Sequence, residues 1–245
     1  AFHHMFNPNQ GQADSPLRDT EYRKDPARTW EHLMNAYKTH EARIRWMREQ
    51  VGNDPTPLAL TECHFALPGR NRCEVLSSWA AGVSNARLLN VHERHGDRLK
   101  IATLADFCGT RWQVNAIMIP VPGGQSFMMP VARVMSLYRH HTGNEAVNVA
   151  RAPNGLDITA SRRADKLFLH VVNTNRRQSV STQVAIAGMQ ITSGRVFELT
   201  GDPEHEIIRA EPNGVTLSEK ALPQNGRWSF PAASVSAVEL DVRTA

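Results

Sequence analysis

"LALTECHF", residues 58–65, is an apolar run that delivers a carboxylate. Leu58, Ala59 and Leu60 are apolar in succession, the pattern of a strand covered on both faces, as in parallel sheets. Pro55 and Pro57 bound the run on one side and the polar "ALPGRNR" (66–72) on the other. The expectation is a short buried strand whose last residue is Glu62.

The flanks supply helices. Asp25 before Pro26 is a capping side chain followed by the residue best tolerated at the first helical position. Trp30, Leu33, Met34, Tyr37, Ile44, Met47 and Val51 recur at helical spacing, so a helix is expected to about Gln50, stopped by Gly52 and Asn53. A second helix is expected over about Cys73–Arg94, with Val75, Leu76, Trp79, Val83 and Leu89 inward. "RLKIATLADF" (98–107) reads as the next strand, Val114–Ile119 as a short extended piece, and Ser126–His141 as a third helix. Strands alternating with helices imply a parallel sheet with crossover helices. After Asn144 the pattern changes to short strands parted by turn residues, as in "GLDITASR", "KLFLHVVNTN" and "AVELDVRTA", which point to an antiparallel sandwich. The fold class expected is α/β plus β, divided at residues 1–145 and 146–245.

Composition narrows the function. With 245 residues, 41% apolar and 21% charged, the chain has the make-up of a globular protein. A net charge of +4 with scattered arginines lacks the dense basic stripe of a nucleic-acid binder. No run approaches the ~18 apolar residues of a membrane span. Three cysteines, Cys63, Cys73 and Cys108, argue against a disulfide framework and tilt the setting towards a reducing, cytoplasmic one. Cys63, His64 and Cys73 fit no familiar zinc spacing, so no metal is expected, and no cofactor is implied. "AFHHMFNPN" carries neither an initiator Met nor a secretory signal and reads as starting inside a fold.

In parallel α/β folds the C-terminal strand ends carry the active site. Glu62 is read there, as are His3 and His4 on the first strand and Asp106 on the third. Retaining glycoside hydrolysis uses two carboxylates, one attacking the sugar carbon and one protonating the leaving oxygen. A strand-end glutamate among polar neighbours suits the nucleophile. Equally, it is consistent with a solvated strand end, and Gln125 after "PVPGG" with a helix cap.

The order "TE" at 61–62, "SNARLLNVHERHGDRLKIATLADF" at 84–107, "VNAIMIP" and "GGQSFMMPVARVMSLY" at 114–138, then a β-rich tail, resembles glycoside hydrolase family 51, best known for α-L-arabinofuranosidases. The resemblance implies the C-terminal portion of a (β/α)8 TIM barrel, strands 6–8, followed by an antiparallel β-sandwich. It implies a retaining mechanism, Glu62 as nucleophile, and His3, His4, His64 and Gln125 as substrate contacts. The family has Trp and Asn after its nucleophile, where Cys63 and His64 stand here, and a Tyr near Met5 or Phe6. The strands bearing the family's acid/base lie outside these residues. The implied partners are an arabinose-containing oligo- or polysaccharide and the missing N-terminal barrel segment or a second chain. Members of the family also form homo-oligomers. The readings kept beside an exo-acting arabinofuranosidase are another retaining glycosidase, a β-xylosidase or β-glucanase, and a non-catalytic carbohydrate-binding or assembly subunit.

Overall fold

The computed structural model describes residues 1–8, 14–69, 73–210 and 214–244. Its first layer is built by β1 (Phe2–Phe6), α1 (Pro26–Val51), β2 (Leu58–Phe65), α2 (Trp79–Arg94) and β3 (Leu99–Ala102). The three strands pair in parallel in the order β1-β2-β3. Parallel neighbours need a crossover between them, and α1 and α2 are those crossovers.

The helix ends follow from their caps. Asp25 accepts the Arg28 backbone N–H at 3.0 Å, Pro26 opens α1, and Gly52 closes it at φ +57. The second helix starts later than its periodicity implies. Cys73 sits in the left-handed region, Glu74–Ser77 form a 3₁₀ turn, and Ser78 is the true cap, accepting from Ala81 N.

Strand β2 departs from expectation in one respect that matters. It does not end at Glu62 but runs on to Phe65. Phe2 pairs with Leu60, yet the next residue, His3, pairs with Glu62. Thr61 is therefore an extra residue, a β-bulge, and it shifts the alternation of everything after it. Leu58 and Leu60 are buried before the bulge, and Cys63 and Phe65 after it. Without the bulge, Glu62 would continue the buried series. With it, Glu62 and His64 share the open face.

The 98–107 stretch is likewise not one strand. Ala105 takes φ +72, a conformation costly for a residue with a Cβ, and its N–H donates to Cys63 O at 2.7 Å. The chain turns there, so Asp106 does not end β3 but begins β4 (Asp106–Gly109). That strand pairs with β5 (Asn115–Met118), which pairs with β6 (Phe127–Met128). Because residues 127–128 are in this small sheet, α3 spans only Pro130–His140.

Beyond it come β7 (Glu145–Val147), β8 (Leu156–Arg163), β9 (Lys166–Asn173), β10 (Val180–Gln183), β11 (Met189–Gly201), β12 (Val215–Ala221), β13 (Arg227–Phe230) and β14 (Val235–Thr244). Six of them form an antiparallel sheet in the order β12-β11-β14-β9-β8-β7, and β10 pairs with β13. One apolar core joins Leu60, Trp79, Leu88 and Val134 to Val172, Val235 and Ala237 of this sheet. A second core holds Leu167, Val196, Phe230 and Leu240, with Val180 and Trp228 of the two-stranded sheet packed on it. The six-stranded sheet is thus covered by helices α2 and α3 on one side and by the β10/β13 pair on the other.

Polar ties cross the first seam. The Trp79 indole N–H donates to Ala233 O at 2.7 Å, and that of Trp30 to Thr174 O at 2.9 Å. Asp157 on β8 accepts from Arg87, Asn90 and Arg94 of α2 at 2.9, 3.0 and 2.7 Å.

Candidate functional site

The bulge at Thr61 places Glu62 opposite His3 and Cys63 opposite His4. Each pair points to a different side of the sheet, and the two sides carry different chemistry.

On the open side, Glu62 stands between two imidazoles. His3 Nδ1 is 3.2 Å from Oε2, and His64 Nε2 is 3.5 Å from Oε1. The His64 ring is oriented by its own backbone. Nδ1 lies 2.9 Å from Phe65 O, and a carbonyl only accepts, so Nδ1 carries the proton. Nε2 therefore donates to Glu62 only when the ring is charged. The Glu62 side chain is 38% exposed and His64 13%, so the carboxylate faces outward while the histidine backs it. Asp106 joins them, brought near by the turn at Ala105. Donor atoms of Glu62, His64 and Asp106 all lie within 4.8 Å of one another. Behind His64 a small cavity is lined by Phe65, Leu76, Asn85, Ala105, Gln113 and Val131. Gln113 Oε1 is buried there without a hydrogen-bond partner. Sequence reasoning passed over Gln113, which lies in a loop with no distinguishing pattern.

His4 and Gln125 are not in this group. His4, on the other side of β1, has Nδ1 3.1 Å from His40 Nδ1 and stacks on Phe6 and His40. Its expected substrate contact would have to be made from behind the sheet. Gln125 is exposed in the loop between β5 and β6, and among the described residues no hydrogen bond joins it to Glu62.

The closed side is a buried row of rings. His40 Nε2 of α1 meets His92 Nε2 of α2 at 2.7 Å, and Cys63 Sγ is 3.8 Å from His40 Nδ1. Burial disfavours charge here. Desolvation, helped by Arg43, lowers the His4 pKa to about 4. Desolvation, with the nearby His95, lowers that of His92 to about 3, and it holds His40 well below the ordinary value. It pushes the Cys63 thiol up. His40 and His92 lie 52 residues apart, so no spacing could have announced them.

A group of apolar side chains is left uncovered. Met5, Ile101, Phe107 and Trp112 are exposed, Phe107 by 79%. β1 and β3 each have one unpaired edge among the described residues.

Solved structures of similar fold include the GH51 arabinofuranosidase from Xanthomonas axonopodis pv. citri, 14% identical with a TM-score of 0.72 over 97% of this chain and 52% of that one. A family 51 α-L-arabinofuranosidase from Bifidobacterium longum is 15% identical with a TM-score of 0.70 over 98% and 52%. An arabinose complex of the α-L-arabinofuranosidase from Thermotoga maritima is 20% identical with a TM-score of 0.61 over 85% and 47%. The chain spans about half the length of these proteins. No curated protein matches the sequence. Residues 63–234, more than half of the chain, match the family model described as the α-L-arabinofuranosidase C-terminal domain. The chain belongs to the α-L-arabinofuranosidase C-terminal domain family.

Proposed function

We propose that this chain is the nucleophile-bearing C-terminal part of a retaining α-L-arabinofuranosidase, with Glu62 as the nucleophile. The observation that carries this is the placement of Glu62 by the bulge. A carboxylate that would otherwise be buried is held on the open face, between His3 and His64, in a chain of this family. Attack on an anomeric carbon needs an ionised carboxylate with an unblocked oxygen. Glu62 has the exposure for it, and His3 Nδ1 stands within reach of one of its oxygens. His3 and His64 are then the residues beside the bound sugar. Gln125 reaches that sugar only if its loop folds over the strand ends, and His4 supports the site from behind rather than touching substrate.

On this proposal β1, β2 and β3 are strands 6–8 of a (β/α)8 barrel, residues 1–145 being its last part and residues 146–245 the accompanying β-domain. Three strands cannot close a barrel. The unpaired edges and the exposed Met5, Ile101, Phe107 and Trp112 support a missing segment that pairs with β1 and β3. The proton donor belongs to that segment, and Asp106 has no proton-transfer role. The substrate is an arabinose-terminated glycan.

The test uses nitrophenyl α-L-arabinofuranoside. The chain alone is inactive, and co-expression with the preceding barrel segment restores turnover. In the restored protein Glu62→Ala removes about 10⁴-fold or more of kcat, and added azide rescues it by taking the place of the nucleophile. Asp106→Asn stays within about tenfold of the parent. Full turnover by the chain alone, or normal turnover by Glu62→Ala, refutes the assignment. Binding of arabino-oligosaccharides without hydrolysis in the restored protein selects the non-catalytic subunit, the reading that the Cys63-His64 replacement favours.

A further inference from the structure

The open side of β2 gathers more acceptors than the proposed hydrolysis uses. Glu62 and His64 are two residues apart on one strand and so share a face. The turn at Ala105, with its φ of +72, brings Asp106 to them from beyond β3. Donor atoms of the three lie within 4.8 Å of one another, and all three residues are half-buried. We propose that Glu62, His64 and Asp106 bind a divalent ion of the zinc class, which occupies the carboxylate oxygen that hydrolysis needs. The binding stands by itself; only the blocking of turnover rests on the proposed hydrolysis.

Three observations support an ion. The first is a meeting of lone pairs. His64 Nδ1 carries the proton and gives it to Phe65 O at 2.9 Å, so the neutral ring turns the lone pair of Nε2 towards Glu62 Oε1, 3.5 Å away. Two acceptors face each other, and something positive must lie between them. A proton on Nε2 would serve this pair alone. Asp106 is a third acceptor at the same place, and among the described residues no hydrogen bond or ion pair holds its carboxylate. One ion takes all three. The second observation is spacing. A tetrahedral ion with bonds of about 2.0–2.2 Å to nitrogen and oxygen sets its ligands roughly 3.3–3.6 Å apart. The Nε2–Oε1 distance of 3.5 Å already has that value, and a rotation of the untethered Asp106 side chain brings in the third ligand. The third is orientation. A ligating imidazole commonly gives its other N–H to a backbone carbonyl, which fixes the ring and its tautomer, and Phe65 O is that carbonyl. The ground behind the cluster is short of donors as well: Gln113 Oε1 is buried without a partner in the cavity that His64 lines. His3 Nδ1 stays on Oε2 at 3.2 Å, which leaves Oε1 to the ion. Three protein ligands keep the fourth tetrahedral position for water.

The test titrates the full chain, purified with chelator, with Co²⁺ and then Zn²⁺. The expected spectrum has tetrahedral d–d bands that saturate at one ion per chain, no thiolate-to-cobalt charge-transfer band, and loss of the bands as Zn²⁺ displaces the cobalt. His64→Gln and Asp106→Asn each weaken binding by about tenfold or more, whereas Cys63→Ser leaves it unchanged. Circular dichroism reports the fold of each variant, and Asp106→Asn, at a half-buried position, keeps the test open if His64→Gln does not fold. In the protein restored with its barrel segment, Zn²⁺ raises the apparent KM for nitrophenyl α-L-arabinofuranoside, chelator reverses this, and Asp106→Asn shifts the inhibiting concentration upward by about tenfold or more. Absence of stoichiometric binding by the folded parent chain overturns the site and leaves a proton on His64 as the bridge. A charge-transfer band, or binding untouched by both His64→Gln and Asp106→Asn, also overturns it. Turnover that ignores saturating Zn²⁺ overturns the blocking. A restored protein without turnover refutes the hydrolase reading instead, and the cobalt titration still decides the site.

Discussion

Replacing Asp157 by Asn should cost about 3 kcal/mol of stability, and the structure sets that figure. Asp157 is the anion of a three-donor clasp between β8 and α2, its side chain 7% exposed. Removing one partner of a buried pair costs about 3–5 kcal/mol because the other charge is left uncompensated. The stranded cations here differ. Arg87 is 16% exposed and also donates to Met34 O, whereas Arg94 is 35% exposed and can rehydrate. The lower end of the range therefore applies. At about 2–4 °C per kcal/mol for a domain of this size, the melting temperature should fall by roughly 6–12 °C. Urea unfolding followed by tryptophan fluorescence measures it, with the slope unchanged. The pH dependence adds a sign. Desolvation raises the Asp157 pKa, but the hydrogen bond and charge of Arg94, with Asn90 and Arg87, outweigh it and the net shift is downward. A carboxyl whose folded pKa lies below its unfolded value stabilises the protein above the unfolded pKa, and that stabilisation is lost as pH falls through the folded one. The parent should thus lose stability below about pH 4 with a component absent from Asp157→Asn. A loss under about 1 kcal/mol would refute the account. So would an equal loss from Asp157→Asn in an Arg87→Met/Arg94→Met background, where the clasp has nothing left to hold.

Gly82→Ala should destabilise the chain by about 1–3 kcal/mol, since a Cβ there would stand 2.8 Å from the Trp79 ring and 2.9 Å from Pro130. Calorimetry checks this, and a neutral result means the α2–α3 contact is looser than described. Phe107→Ser should leave the unfolding free energy of the isolated chain within about 0.5 kcal/mol, because the ring is exposed. The same change should weaken association with the barrel segment in a titration, and unaltered association would show that the segment does not cover Phe107.

Much of this architecture was legible in local chemistry. Asp25-Pro26 and Gly52 bracket α1 because capping is a matter of adjacent residues. The buried strand at 58–60 and the turn to short strands after Asn144 declared themselves by patterning. What escaped was set by distant partners. Ser126 reads as a helix start until Phe127 and Met128 are taken by β5. "RLKIATLADF" reads as one strand because nothing in Ala105 announces a positive φ; the turn is stabilised by its bond to Cys63 O. Glu62 stands out in the sequence, but as a strand end, since the extra residue at Thr61 exists only relative to β1. His3 and His64 do reach Glu62, whereas His4 was assigned to the same side because neither strand reveals its parity alone. Of the closed-side row only Cys63 stands out in the sequence, beside His64 and Cys73; His40 and His92 read as ordinary helix residues, because their contact joins positions 52 residues apart.

The bulge at Thr61 also changes how this strand can vary. Substitutions at 58–65 alter one side chain each, whereas a change of length acts through where it falls relative to the bulge. Deleting Thr61 would remove the extra residue and leave a regular ladder, with Glu62 following Leu60, still opposite His3 and still on the open face. Relatives of this chain must therefore be compared by counting from the bulge. A gap placed one position away equates a carboxylate with a thiol.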